Sequence, residues 1–324
     1  MNQKERERAI LDMVYGDGEF EEIIDSEGPD FCIRKRGQAL TFGVEVTEFY
    51  CSESNARVRN IPEYVTQILI EGRYRHKDDK TALPICVATL VRDGEPDREI
   101  QGIFQSVPEI GEYARMVAEA IRGKDEKLKE YAANLTHVNL IVFDTESLLF
   151  RIAAKDFYRY FFTPDIIAAL RQSGYREVYL VTRLETERWV YIPMKLVLFL
   201  SELHLFDYIL VTYYPNLCTD TAEELRLFAQ YLRRNGMDEV YIRGTESEYE
   251  VVWSGYGVII AADKRPTIHD YADYQLPDDF RPIDLEAKPP FTDSAFDERL
   301  NAFLESHTFT CQLAYDAKSE VVPL

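Results

Sequence analysis

The sequence predicts an α/β fold, with α+β as the open alternative, because strand-like and helix-like segments alternate along the chain. Residues 29–49 place apolar and polar side chains in turn, which is the period of a β-hairpin. A long amphipathic helix is predicted over 109–132, and the apolar strand NLIVFD follows it at 139–144. We therefore expect a central mixed sheet flanked by helices, with an α/β extension towards the C-terminus.

The first 25 residues predict a short helix. Ile10, Leu11 and Val14 share one of its faces, and the chain leaves it at Gly16-Asp17-Gly18. After the hairpin, helical spacing appears within 60–76, and the run PICVATLV predicts a strand.

The second half continues the alternation. Apolar runs rich in β-branched and aromatic residues predict strands at 177–183, 207–214, 238–244, 249–255 and 257–263. Apolar residues at helical spacing predict helices at 164–173, 192–206, 221–235 and, less regularly, 293–305.

Composition limits the class of protein. The 324 residues are 46% hydrophobic, which excludes global disorder and fits one large or two moderate domains. We predict a core over 1–150 and an extension or second domain over 151–324, with an acidic tail from about 266. No segment has the roughly 20 apolar residues of a membrane span, and no secretory signal is apparent. We therefore expect a cytoplasmic protein without membrane contact.

The charge argues against a surface that binds nucleic acid everywhere. There are 37 Lys and Arg against 57 Asp and Glu, giving a net charge of −20, whereas nucleic-acid binding depends on neutralising phosphates. Residues 34–80 differ, with nine basic and seven acidic side chains. We expect nucleic acid at this local basic face, and a protein partner or second copy at the acidic remainder. The candidate nucleic-acid-binding residues are Arg57, Arg59, Arg73, Arg75, His76 and, further along, Lys124. A solvated helix face explains the same residues.

Several kinds of site are excluded by the motifs. The five cysteines are dispersed without a CxxC pair, which favours reduced thiols over disulfides or a zinc site. The histidines are equally scattered. The chain has no Walker-type loop, no GxGxxG after a strand and no GxSxG.

The hairpin brings two carboxylates together. If its turn lies between Gly37 and Gln38, the numbers of facing residues sum to 75, so Asp30 faces Glu45. Facing side chains in an antiparallel pair have Cβ atoms about 4.5–5.5 Å apart. Thr47 projects from the same face as Glu45.

Facing carboxylates repel each other unless positive charge lies between them. A divalent cation can supply it, and oxygen-only ligands favour Mg²⁺ or Mn²⁺. Such an ion activates water and stabilises charge on a phosphoryl oxygen. Glu21 or Glu22 can supply a further ligand from just upstream.

Pro29-Asp30, the hairpin and Glu45-Val46-Thr47 together resemble the PD-(D/E)xK phosphodiesterase superfamily, which includes many restriction-type nucleases. The resemblance covers residues 1–150. It implies a restriction-endonuclease-like core: a helix carrying an acid, a three-stranded meander, a crossing helix and a further strand. It implies that Asp30 and Glu45 bind the metal, with Glu22 as the helix-borne acid, and that the protein hydrolyses DNA or RNA.

A second likeness concerns residues 43–80. They resemble uncharacterised bacterial proteins with an EVTE motif followed by a basic RHKDD segment. This likeness implies a role in defence against foreign DNA.

The sequence departs from the superfamily at Thr47, where the motif has a lysine that orients the nucleophilic water. We expect a displaced basic residue to take over, with Lys77 as the main candidate and Arg75, Arg57 and Lys124 as others. If none reaches the site, the protein is a catalytically inactive module that acts by protein binding or regulation. An edge hairpin with solvated acids is the simplest alternative.

Overall fold

The computed structural model describes residues 2–16, 20–38, 41–91, 98–105, 107–131, 135–185, 188–215, 221–244, 249–260, 266–283, 313 and 315–317. Its helices are α1 (Gln3–Tyr15), α2 (Glu53–Asn60), α3 (Tyr64–Glu71), α4 (Asp79–Ala82), α5 (Ile110–Asp125), α6 (Phe157–Phe161), α7 (Pro164–Gln172), α8 (Met194–Tyr213) and α9 (Thr221–Arg234). The described residues also form 3₁₀ segments at Glu126–Glu130, Leu148–Arg151 and Ala154–Asp156.

The strands in the described residues form three sheets. They are β1 (Phe20–Asp25), β2 (Phe31–Lys35), β3 (Phe42–Phe49), β4 (Ile85–Leu90), β5 (Arg98–Ile103), β6 (Val138–Asp144), β7 (Val178–Arg183), β8 (Trp189–Pro193), β9 (Val240–Gly244), β10 (Tyr249–Trp253), β11 (Tyr256–Ile260), β12 (Pro266–Asp270), β13 (Arg281–Pro282) and β14 (Tyr315–Asp316).

A seven-stranded mixed sheet organises the fold, in the order β1-β2-β3-β6-β7-β8-β14. Strands β1, β2 and β3 form an antiparallel meander, β3, β6 and β7 run parallel, and β8 and β14 complete the sheet antiparallel. The predicted mixed α/β architecture is confirmed. The sheet continues past residue 150 through β7, β8 and β14, so the predicted domain boundary falls within one sheet.

The hairpin of β2 and β3 has the predicted register. Phe31 pairs with Val44, and Ile33 pairs with Phe42. Gly37 lies in the connecting turn with a φ of +79°, a conformation that glycine adopts at little steric cost. Because β2 begins opposite Val44 while β3 runs on to Phe49, the second half of β3 extends beyond β2.

Helices cover both faces of this sheet. On one face, the apolar side of α1 packs against the inward side chains of β2 and β3 in one buried cluster. On the other face, α5 and α7 pack against β6 and β7 in a larger cluster that continues into the C-terminal part of the chain. These two layers fix α1 and the end of α5 on either side of β3, where the candidate site lies.

The C-terminal part adds a five-stranded antiparallel sheet in the order β12-β11-β10-β9-β13. Helices α8 and α9 pack against it through buried residues such as Phe228 and Trp253. No described helix, α8 included, is both long and apolar enough to span a membrane. A separate hairpin of β4 and β5 exposes side chains on both of its faces.

Several elements differ from the sequence prediction, and strands β5 and β12, for example, were not predicted. The predicted strand at 207–214 is wrong: these residues continue α8, whose apolar side chains are buried over most of its surface. A short apolar run fits either a buried helix or a strand, so periodicity alone could not decide. Strand β1 was not predicted, because its FEEIID sequence is acidic and half exposed, and its pairing with β2 holds it in the sheet. The predicted helix at 293–305 lies outside the described residues.

His137 provides a pH test of this packing. Its ring stacks on Phe42 with 5.2 Å between centroids. Burial, reinforced by the nearby Arg176, lowers the pKa of His137 to about 3. Because the folded protein then disfavours the charged ring, stability is lost as pH falls from the ordinary pKa of about 6.5 towards 3.

We expect His137→Phe, which keeps an aromatic ring, to gain about 3 kcal/mol of unfolding free energy relative to wild type between pH 7 and pH 4. Urea denaturation of both proteins at the two pH values measures this. If the difference in unfolding free energy between the two proteins is the same at pH 7 and pH 4, the ring is not held neutral by burial.

Candidate functional site

A cleft of about 870 Å³ opens where β3 extends beyond β2. The N-terminal turns of α1, the loop before β2, the second half of β3 and the end of α5 surround it. Its walls carry Asp30, Glu45 and Thr47, the three residues that the hairpin register brought together in the sequence prediction. The described lining is more acidic than basic, with acids Glu7, Glu27, Asp30, Glu45, Glu48 and Glu130 and bases Arg6, Lys124 and Lys127.

Asp30 is fixed by the edge of β3. Its Oδ2 accepts a hydrogen bond from the backbone N–H of Val46 at 2.9 Å, and its Oδ1 lies 3.5 Å from the Nζ of Lys4. Burial raises the pKa of Asp30, the hydrogen bond from Val46 lowers it, and the negative charges of Glu45 and Glu7 raise it further. The net direction is upward, so the carboxylate lies in a site that disfavours added negative charge.

Glu45 is buried and paired with a lysine from a distant part of the chain. Its Oε1 lies 2.7 Å from the Nζ of Lys124, near the end of α5. Tyr131, just after the 3₁₀ segment that continues α5, lines the same wall. Lys124 is one of the four candidates for the displaced basic residue, and it is the one that contacts a motif carboxylate.

Helix α1 contributes a buried acid, Glu7, to the cleft. Glu7 is almost fully buried, its Oε2 lies 3.0 Å from the Nζ of Lys4, and its Oε1 accepts from Gln3 Nε2 at 2.8 Å. The same Lys4 ammonium also approaches Asp30, so it links the two acids. Sequence analysis missed Glu7, although it lies three, four and seven residues before the apolar residues of α1. An acid on the apolar face of a helix is the pattern that could have identified it.

The assignment of Glu22 as the helix-borne acid is wrong. Glu22 lies on β1 rather than on a helix, its side chain is exposed, and it pairs with Arg34 Nη2 at 2.7 Å. It does not belong to the described lining of the cleft. The error arose because β1 was not predicted as a strand.

Two arginines of the predicted basic face are neutralised by nearby acids. Arg57 pairs with the acids Glu53, Asp78 and Asp79, and Asp79 is completely buried. Arg73 pairs with Glu71 at 3.3 Å.

The remaining predicted basic residues also lie away from the cleft lining. Arg59 donates to the carbonyl of Thr145, and Arg75 donates to the side chain of Gln67. His76 and Lys77 are exposed in the segment before α4. Within the described chain, the cleft is lined by none of Arg57, Arg59, Arg73, Arg75, His76 and Lys77, whereas Lys124 lines it.

Asp30 and Glu45 are the right type of donor for Mg²⁺ or Mn²⁺, since both are hard cations that prefer carboxylate oxygen. Among the described residues, no three His, Cys, Asp or Glu side chains form a metal-ion group. Mg²⁺ sites commonly use only one or two carboxylates, with water and substrate phosphates as the other ligands. The donor pair therefore fits such an ion, in competition with the two lysine ammonium groups.

Comparison with known proteins adds no assignment. No family model, curated protein or solved structure matches this chain. The carboxylates and lysines of the cleft are therefore the features that indicate a function.

Gly43 controls the position of Asp30. A Cβ atom at Gly43 would lie 2.5 Å from Pro29 Cγ and 3.0 Å from Leu135 Cδ1, so only glycine lets Pro29 approach β3 so closely. We expect Gly43→Ala to push Pro29 outwards, displace Asp30 and cost about 1–3 kcal/mol of unfolding free energy.

Gly111→Ala is the control, because nothing described lies within 4 Å of a Cβ at that position on α5. Urea denaturation compares the two variants with wild type. A Gly43→Ala protein as stable as Gly111→Ala would show that the close approach of Pro29 is not required.

Proposed function

We propose that the cleft is the active site of a metal-dependent nuclease that hydrolyses phosphodiester bonds of DNA or RNA. The observation that carries the proposal is the placement of Asp30, Glu45 and Lys124 together in one open cleft. The order of elements supports it: helix α1, the meander of β1 to β3, helix α5 and the parallel strand β6 follow the arrangement implied by the resemblance to the PD-(D/E)xK superfamily.

The charge of the cleft favours a metal requirement. A phosphodiester carries negative charge, and the described lining has more acids than bases. Asp30 and Glu45 would hold Mg²⁺ or Mn²⁺, and the ion would supply an activated water and neutralise charge on the phosphoryl oxygen. Without added positive charge the substrate phosphate would meet repulsion from the same carboxylates.

Lys124 takes the part of the lysine that Thr47 replaces in the motif. Its ammonium group is held at Glu45 from α5 rather than from β3, so the positive charge reaches the site from the facing helix. There it can orient the attacking water and offset negative charge that develops on the phosphoryl group. Thr47 contributes a hydroxyl to the cleft wall, which can hold a water by hydrogen bonding.

Lys4 would position Asp30 directly, and Glu7 would position Lys4. The Lys4 ammonium lies between the two carboxylates, 3.0 Å from Glu7 and 3.5 Å from Asp30. The hydrogen bond from the N–H of Val46 and the contact with Lys4 would orient Asp30 before substrate arrives. A cellular role in defence against foreign DNA follows only from the likeness of residues 43–80 to bacterial proteins.

A catalytically inactive binding module is the second candidate. It is favoured by the lysines, because the ammonium groups of Lys4 and Lys124 can neutralise Asp30 and Glu45 in place of a metal ion. The exposed apolar hairpin of β4 and β5 supports a protein partner, since Val87 is 59% and Leu90 54% exposed. An isolated two-stranded hairpin is marginally stable in water, so a partner would stabilise it.

Asp30 and Glu45 are the carboxylates on which the proposed cleavage depends. We expect wild type to cleave single- or double-stranded DNA or RNA with Mn²⁺ or Mg²⁺ and to stop when EDTA is added. Asp30→Ala and Glu45→Ala should each reduce the cleavage rate about a hundredfold or more. Glu22→Ala is the matched control and should cleave like wild type, because it lies outside the cleft lining. Undiminished cleavage by both cleft variants would refute the assignment.

The second prediction separates the candidate lysines. Lys124→Ala should lower kcat roughly a hundredfold with little change in KM, because its ammonium acts on the developing charge. Lys77→Ala should leave both constants unchanged. Gel-based cleavage rates over a range of substrate concentrations measure the two constants. If Lys77→Ala were inactive and Lys124→Ala active, the role of Lys124 would be wrong.

A further inference from the structure

A second group of exposed basic and aromatic side chains follows β6, on the segment that contains two 3₁₀ turns and α6. Its exposed side chains are Phe150, Arg151, Lys155, Arg159 and Tyr160, which we call the aromatic–basic patch. The two rings are about half exposed, Phe150 at 47% and Tyr160 at 48%. The segment 148–161 has three basic residues and one acid, in a chain whose net charge is −20.

Each exposed ring lies beside a guanidinium group. The Cζ of Arg151 is 5.2 Å from the ring centroid of Phe150, and that of Arg159 is 5.6 Å from the ring centroid of Tyr160. Both distances are in the range of a cation–π contact. The patch therefore presents two units of the same kind, each with a flat apolar surface and a positive charge.

Within the part of the chain that the structure describes, the cations of the patch have no carboxylate partner. Among the described residues, Arg151, Lys155 and Arg159 form no ion pair, whereas Arg57 and Arg73 in the predicted basic face are paired with acids. Unpaired cations keep their charge available to a ligand.

The rings of the patch are not needed to fill the core. Ile152, Phe157 and Phe161, in the same segment, are buried and anchor it to the larger apolar cluster. This anchoring leaves Phe150 and Tyr160 on a surface held by packed neighbours. A fixed aromatic surface loses little side-chain entropy when a ligand stacks on it.

We propose that the aromatic–basic patch binds single-stranded nucleic acid. Bases would stack on Phe150 and Tyr160, while Arg151, Lys155 and Arg159 contact the phosphates. Proteins that bind single strands combine aromatic rings and positive charge in this way. A duplex fits less well, because its bases are already stacked on each other and cannot reach the rings. This binding is separate from the cleft and requires no metal.

The test is fluorescence anisotropy with labelled oligo-dT of about 15 nucleotides at low salt in EDTA, which is long enough to span a typical single-strand site. Wild type should bind saturably, and added salt should weaken the binding. Phe150→Ala and Tyr160→Ala should each weaken it about tenfold. Tyr160→Phe keeps the ring and should bind like wild type.

The matched control is Phe104→Ala, which removes an exposed aromatic ring (63% exposed) outside the patch. Its binding should equal that of wild type, and far-ultraviolet circular dichroism should show that every variant is folded. Absence of binding, equal loss in Phe104→Ala, or tighter binding of a duplex of the same length would each overturn the proposal. Since EDTA prevents metal-dependent cleavage, failure of the nuclease proposal leaves this result unaffected.

Discussion

The antiparallel pairing of β2 with the first half of β3 is the constraint on which the candidate site depends. It brings Asp30 to the point where β2 begins, and the N–H of Val46 then fixes one carboxylate oxygen at 2.9 Å. Because β3 extends beyond that point, Glu45 and Thr47 border an open cleft. A shift by one residue in the pairing would move these side chains to the face that packs against α1. Pro29 packs closely against Gly43 on β3, and this contact also favours the observed pairing of β2 with β3.

Electrostatics then determines what the cleft can do. Glu7 on α1, Asp30 in the loop before β2 and Glu45 on β3 share the cleft wall, and lysines from α1 and α5 offset their charge. The upward shift in the pKa of Asp30 shows that burial and the neighbouring acids outweigh the stabilising contacts. A divalent cation would compete with Lys4 and Lys124 for these oxygens. If it binds, both ammonium groups stay nearby and become available to water or phosphate, which is the chemistry that the nuclease proposal needs.

Part of this arrangement could be predicted from sequence, since it depends on local spacing. The turn at Gly37 fixed the hairpin register, and the register placed Asp30 opposite Glu45. The helix-borne acid could not be found in the same way, because β1 lacks strand-like composition and Glu22 was placed on a helix. Glu7 lies near the apolar face of α1, but only the packing of α1 beside β2 shows that this acid lines the cleft next to Asp30.

Tertiary contacts decided the remaining assignments. Lys77 was the main candidate to replace the motif lysine and Lys124 one of three others, and only the folding of α5 across the sheet brings Lys124 to Glu45. The same contacts neutralise Arg57 through the buried Asp79, which lies 22 residues further along the chain. The helix at 207–214 was mistaken for a strand because a run that is apolar on all sides has no periodicity to measure. Local charge counts therefore indicated a basic face, but ion pairs neutralise two of its arginines, and its residues between 57 and 77 do not line the cleft.

Isothermal titration calorimetry with Mn²⁺ tests the central claim most directly, since it asks whether the cleft binds metal at all and does not depend on finding the substrate. We predict a saturable heat for wild type that is lost in Asp30→Asn and in Glu45→Gln and is retained in Glu22→Gln. Both cleft substitutions preserve side-chain shape while removing charge. Wild-type protein without a saturable heat, or cleft variants that bind Mn²⁺ as well as wild type, would contradict the account and favour a binding module whose carboxylates are neutralised by Lys4 and Lys124.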